Sequence, residues 1–145
     1  MTKSKALIEL HEGRRLEPYQ DSLGYWTIGV GHLTGAVEHP PITDEECDEL
    51  LELDLQKAKN ALDKEMPWAS KGLGEVRYAV LLDMIFNMGS LRGWPVFKTQ
   101  VKDARYKAAA ENMRTTLWAS QVKTRAARLA TMMETGEWPP ELRNL

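Results

Sequence analysis

The chain has 145 residues, of which 43% are apolar and 28% charged, with a net charge of -2 and a single cysteine. This length fills one core or two lobes sharing a helix and excludes two independent enzymes, while the composition excludes disordered and collagen-like classes. Cys47 alone cannot form an internal disulfide, so nothing ties the fold to an oxidising compartment.

Met1–Glu9 has no apolar run of signal-peptide length, and no segment approaches the roughly 20 apolar residues of a membrane span, so no membrane insertion is expected. Residues 3–12 read as a short helix that buries Leu7, Ile8 and Leu10, with Gly13 where a left-handed cap is favoured. From Arg14 to Thr34 the strand formers Tyr19, Tyr25, Trp26, Thr27, Ile28 and Val30 alternate with turn signals at 21–24 and 29–31. This pattern is a small antiparallel sheet or hairpin, with Ser22 and Gln20 as the polar neighbours of Asp21. Gly35 to Pro41 is a loop.

Thr43-Asp44-Glu45-Glu46 is a capping-box signature opening a long helix over 44–65, which Pro67 stops. Its inward stripe carries Cys47, Leu50, Leu51, Ala58, Ala61 and Leu62, and one acid, Asp54. An inward acid needs a partner. Residues 75–88 are apolar almost all round, marking a helix enclosed by others. Further helices are predicted at about 95–104, 107–118 and 124–134, with Gly136 closing the last and Trp138-Pro139-Pro140 packing across the bundle. The expected fold is α+β, mostly α, in one domain. A small N-terminal sheet lobe of about residues 13–42 joins through the helix at about 44–65 to a helical lobe of about 66–145, with which helix 3–12 packs.

Charge is unevenly spread: residues 36–75 hold 4 basic and 11 acidic side chains, residues 90–145 hold 10 basic and 5 acidic. Alternation between solvated helix faces accounts for this, and without a recognised binding motif no nucleic-acid partner is expected.

Two acids stand in different settings. Glu12 ends a helix, where the negative end of the dipole and partial burial favour a neutral acid, and Asp21 lies in a polar turn that suits an ionised one. Cleavage of a glycosidic bond needs this division, a proton for the leaving oxygen and a carboxylate that attacks or activates water. As an isolated pair they read more simply as an ordinary helix-end acid and an ordinary turn aspartate.

The surrounding string decides between these readings. Glu12-Gly13, Tyr19-Gln20-Asp21 and Gly24-Tyr25-Trp26-Thr27-Ile28-Gly29-Val30-Gly31-His32 resemble the phage-type lysozymes, the endolysins among the glycoside hydrolases. Phe86-Asn87-Met88-Gly89, Trp118 with Gln121, Arg125 and Arg128, and Thr135-Gly136 with Trp138 follow in the family's order, so the resemblance covers nearly the whole chain. It implies a muramidase that hydrolyses the β-1,4 bond between N-acetylmuramic acid and N-acetylglucosamine in bacterial peptidoglycan and lyses the host cell. Glu12 would be the general acid, and Asp21 with Thr27 would orient the attacking water. Leu33, Phe86 and Asn112 would line the sugar cleft, His32 and Asp54 would form a structural ion pair, and Arg125 would lie near Glu12. The resemblance further implies no metal or cofactor; nothing in the sequence demands more than a monomer, and the lack of an export signal suggests a separate membrane-permeabilising protein that lets the enzyme pass from the host bacterial cytoplasm to the wall.

The remaining signals are weak. His11, His32, His39 and Cys47 lack zinc-like spacing, and Gly29-x-Gly31-x-x-Thr34 fails the dinucleotide fingerprint. Against hydrolysis stand a lytic transglycosylase acting on the same bond, which has less use for Asp21 and Thr27, and a non-catalytic peptidoglycan-binding protein, which has no use for all three residues.

Overall fold

The computed structural model describes residues 2–21, 23–35 and 38–145; Ser22 and the part of the Gly35–Pro41 loop formed by Ala36 and Val37 lie outside the described residues. The fold is α+β and mostly α, with helices α1 (Lys3–Glu12), α2 (Asp44–Glu65), α3 (Glu75–Met88), α4 (Pro95–Lys102), α5 (Tyr106–Arg114), α6 (Leu117–Val122) and α7 (Thr124–Thr135), and strands β1 (Arg15–Gln20), β2 (Trp26–Gly29) and β3 (His32–Gly35). The chain divides into two compact units, residues 1–57 and 58–145.

In the first unit the strands form an antiparallel sheet in the order β1-β2-β3. Tyr19 lies opposite Thr27, and Thr27 opposite Leu33, so these three side chains share one row of one face. Ile28 pairs with His32 in the next row and is fully buried, which turns the other face inward. The register shifts between Trp26 and Thr27, where the Thr34 hydroxyl donates to the Trp26 carbonyl at 3.2 Å. α2 starts with the reciprocal capping box: the Glu46 amide donates to Thr43 Oγ1 and the Thr43 amide to Glu46 Oε1, both at 3.1 Å. Cys47, Leu51 and Leu55 line its buried stripe in this unit.

The second unit is built on α3, buried from Ala79 to Ile85, with α7 packed against α3, α5 and α6. Arg77 fastens the end of α7. Its Nε donates to the Met133 carbonyl at 2.7 Å and its Nη2 to that of Glu134 at 3.0 Å, while the guanidinium lies 3.6 Å above the Tyr106 ring. Gly136, left-handed at φ 70° and ψ 21°, closes α7 beneath that guanidinium.

One predicted helix is two. The segment expected to be helical over 107–118 breaks at Thr115 and Thr116, and α6 runs on into the gap between the predicted helices at 107–118 and 124–134. Both threonine hydroxyls donate back to carbonyls of the preceding turn, Thr115 to Asn112 at 3.0 Å and Thr116 to Met113 at 2.9 Å. Thr116 Oγ1 then accepts from the Ala119 amide at 3.1 Å as the N-cap of α6. α4 also ends two residues before the predicted boundary, where Asp103 closes it.

Candidate active site

Glu12 is the last residue of α1, which Thr2 caps at its start. The Gly13 amide completes the final turn on the Glu9 carbonyl at 2.8 Å, but Gly13 adopts φ 76° and ψ 173°, a conformation essentially reserved for glycine, in place of the expected left-handed cap. The chain therefore swings away directly after Glu12. Next, Arg14 grips three carboxylates: Glu9 Oε1 at 2.7 Å, Asp44 Oδ1 at 3.0 Å, and Asp48. Hydrogen bonds to Asp48 and Glu9 push the guanidinium above the usual arginine range. The last turn of α1 is thus tied to the first turn of α2.

Gly31 supplies the floor under Glu12. A Cβ at this position would stand 2.8 Å from Glu12 Oε1 and 2.9 Å from its Cδ, and Gly31 also sits at φ 66°. Both the close approach and the backbone require glycine.

Asp21 is held by its own turn. Its Oδ1 accepts from the Leu23 and Tyr25 amides, each at 2.9 Å, and its amide donates to the Tyr25 carbonyl at 2.9 Å. Gln20 Nε2 braces the turn on the Gly24 carbonyl at 3.2 Å. Among the described residues, every hydrogen bond to the Asp21 carboxylate falls on Oδ1. Thr27, 3% exposed, donates its hydroxyl to the same Tyr25 carbonyl at 3.1 Å. The Tyr25 peptide is therefore a hub that fixes Asp21 and Thr27 relative to each other. With its proton committed, Thr27 Oγ1 can only accept from a further group.

Tyr19 belongs to this cluster. Burial first, then the charge of Glu12 and more weakly that of Asp21, push its hydroxyl up, while Arg15, whose guanidinium lies 4.2 Å from the ring centre, opposes them. Tyr19 thus keeps its proton at neutral pH.

The other sequence-derived residues fall as follows. Leu33 is 60% exposed in the same row as Thr27. His32 Nδ1 lies 2.7 Å from Asp54 Oδ2, binding β3 to α2. Phe86, Asn112 and Arg125 belong to the 58–145 unit. Phe86 is half-buried near the end of α3. Asn112 donates to Gln100 Oε1 at 3.1 Å and lines a depression of about 310 Å³ with Trp94, Leu117 and Trp118. Buried Arg125 donates from Nε to Asp83 Oδ1 at 2.9 Å, and Asp83 is fully buried.

Motif reading does not single out Arg14, Tyr19, Tyr25, Gly31 or Asp83 as working residues. Asp83 carried the clearest signal, being an acid inside an otherwise apolar helix, which demands a cationic or hydrogen-bonding partner. Among the described residues no group of three or more His, Cys, Asp or Glu side chains is arranged to hold a metal. Nor is any described helix long and apolar enough to cross a membrane.

The phage lysozyme family matches this chain over residues 9–131. The chain belongs to that family. Among relatives, a probable T4-type lysozyme 1 of Dictyostelium discoideum is 28% identical over 160 residues, covering 91% of this chain and 94% of the relative. The endolysin of Salmonella phage P22 is 37% identical over 114 residues, 72% of this chain and 73% of that protein. A second endolysin, from Acyrthosiphon pisum secondary endosymbiont phage 1, is 30% identical over 87 residues, with coverages of 60% and 58%. The family's matched span takes in Glu12, Asp21, Thr27 and Arg125 and ends before Trp138.

Proposed function

We propose that this protein is an endolysin-type muramidase that hydrolyses the β-1,4 bond between N-acetylmuramic acid and N-acetylglucosamine, with Glu12 as proton donor and Asp21 with Thr27 as the water-holding pair. Membership of the lysozyme family supports peptidoglycan hydrolysis in general. The finer reading rests on one observation, the Tyr25 peptide that binds both Asp21 and Thr27.

A water attacking a sugar carbon must keep a lone pair free for carbon and point both of its O–H bonds at hydrogen-bond acceptors, one of which takes a proton as the bond forms. Thr27 Oγ1 is one such acceptor, because its own proton points to the Tyr25 carbonyl. Asp21 Oδ2 is the second, because the turn occupies Oδ1. Asp21 takes the proton as the carbon–oxygen bond forms. Glu12, oriented over Gly31, gives its proton to the departing glycosidic oxygen, and charge stays balanced as the bond breaks.

A transglycosylase, which replaces water by the muramic 6-hydroxyl, needs no second water-proton acceptor, so the Asp21–Thr27 arrangement favours hydrolysis. In the cell, we read the enzyme as a monomer made in the host cytoplasm and admitted to the wall by a separate membrane-permeabilising protein. Digestion of purified peptidoglycan by the parent, Glu12→Gln and Asp21→Asn, with products weighed by mass spectrometry, tests the assignment. Reducing-end muropeptides from the parent and loss of turnover in both variants are expected. Anhydro-muropeptides from the parent, or full activity of Glu12→Gln, would overturn it.

A further inference from the structure

Among described large apolar side chains outside the cores, Leu23, Tyr25 and Leu33 stand out at 79%, 56% and 60% exposure, because two of them lie on the turn that carries Asp21. We propose that Tyr25 determines substrate binding, its ring stacking on a sugar of the glycan strand next to the bond being cut. This rests on the muramidase reading above.

The argument begins with rigidity. The Tyr25 amide is fixed on Asp21 Oδ1, and its carbonyl receives both the Asp21 amide and the Thr27 hydroxyl. A ring borne on a peptide held at both ends loses little backbone freedom when a ligand settles on it, so most of the contact appears as affinity. Chemistry points to the occupant. An N-acetylated pyranose has a flat C–H face and polar edges, and tyrosine matches it with an apolar face and one hydroxyl. Placement gives the consequence: one residue carries the platform and ties together the two groups assigned to the water. A sugar on Tyr25 is thereby registered against Asp21 and Thr27 without any motion of the turn.

Tyr25 makes its three hub bonds with its own backbone atoms, so truncating its side chain leaves them intact. Tyr25→Ala should therefore raise KM on soluble, peptide-free glycan strands about tenfold while leaving kcat within about threefold, the signature of lost uniform binding. Tyr25→Phe, which keeps the ring, should bring KM back to within about twofold of the parent. A second measurement needs no turnover: calorimetric titration of the same strands into Glu12→Gln, with and without Tyr25→Ala, should show an equivalent loss in Kd. Unchanged KM and Kd in Tyr25→Ala would overturn the proposal, as would Tyr25→Phe behaving like Tyr25→Ala, or a fall in kcat at constant KM. Full activity of Glu12→Gln would instead remove the assignment of Glu12, and the KM comparison of the parent with Tyr25→Ala and Tyr25→Phe would still decide on Tyr25.

Discussion

The sharpest energetic prediction concerns Arg77 and Gly136 at the end of α7. Arg77→Ala removes two hydrogen bonds from a cation to helix C-terminal carbonyls and one guanidinium–ring contact. With about 1.5 kcal/mol for each bond and a few tenths for the ring face of a half-buried side chain, the loss is about 3 kcal/mol. In a chain of this size that lowers Tm by about 6–12 °C. Gly136→Ala carries two costs. The left-handed backbone costs about 1–2 kcal/mol. The new methyl would also stand 2.9 Å from Arg77 Nη1 and 3.0 Å from Cζ, displacing the guanidinium from its carbonyls. In an Arg77→Ala background only the backbone cost remains, so the two substitutions should couple by at least about 1 kcal/mol. Urea unfolding of the parent, both single variants and the double variant, followed by far-UV circular dichroism, measures this. Losses that add to within about 0.5 kcal/mol would refute the packing of Arg77 over Gly136.

Other outcomes follow from the same reasoning. Asp21→Asn keeps an acceptor for the Leu23 and Tyr25 amides and should lose turnover with stability changed by under about 1 kcal/mol, whereas Asp21→Ala should lose both, as thermal melts beside activity assays will distinguish. Gly31→Ala sets a methyl against the Glu12 carboxyl at a left-handed position; turnover should fall at least about tenfold and stability by about 1–2 kcal/mol, and a fully active variant would contradict the placement of Glu12. His32→Asn should lower the urea midpoint while retaining measurable hydrolysis, because the His32–Asp54 contact binds β3 to α2; a variant as stable as the parent but inactive would reverse that view. Cys47 is fully buried and desolvation pushes its thiol up, so it forms little thiolate in the folded state and should react with a disulfide reagent only through opening, at a rate that rises with urea.

Much of the architecture was legible because its signals are local. Thr43 and Glu46 announced the start of α2 and Pro67 its end, and the all-round apolar run marked α3 as enclosed. The break at Thr115 and Thr116 was hidden because β-branched polar residues are tolerated within helices, and only their bonds back to Asn112 and Met113 show the helix ending. At the site, the proposal of Glu12, Asp21 and Thr27 came from the resemblance that the Glu12–His32 string carries. The features that orient them were not readable, since the Tyr25 hub is made of backbone atoms and carries no residue signature. The support of Glu12 by Gly31 is likewise a contact between positions nineteen apart whose meaning lies in the missing Cβ. Asp83 was submerged in an apolar run, although an acid there calls for a partner, which is Arg125.

Arg14 also constrains how this sequence can drift. One guanidinium separates Glu9, Asp44 and Asp48, so each acid can be neutralised singly while the other two remain held. Replacing the arginine first converts its three partners into a mutually repelling group at the end of the helix that carries Glu12. Substitution at these four positions is therefore less costly in one order than in the other: an acid lost before the arginine leaves the remaining acids paired, whereas the arginine lost first leaves all three carboxylates without it.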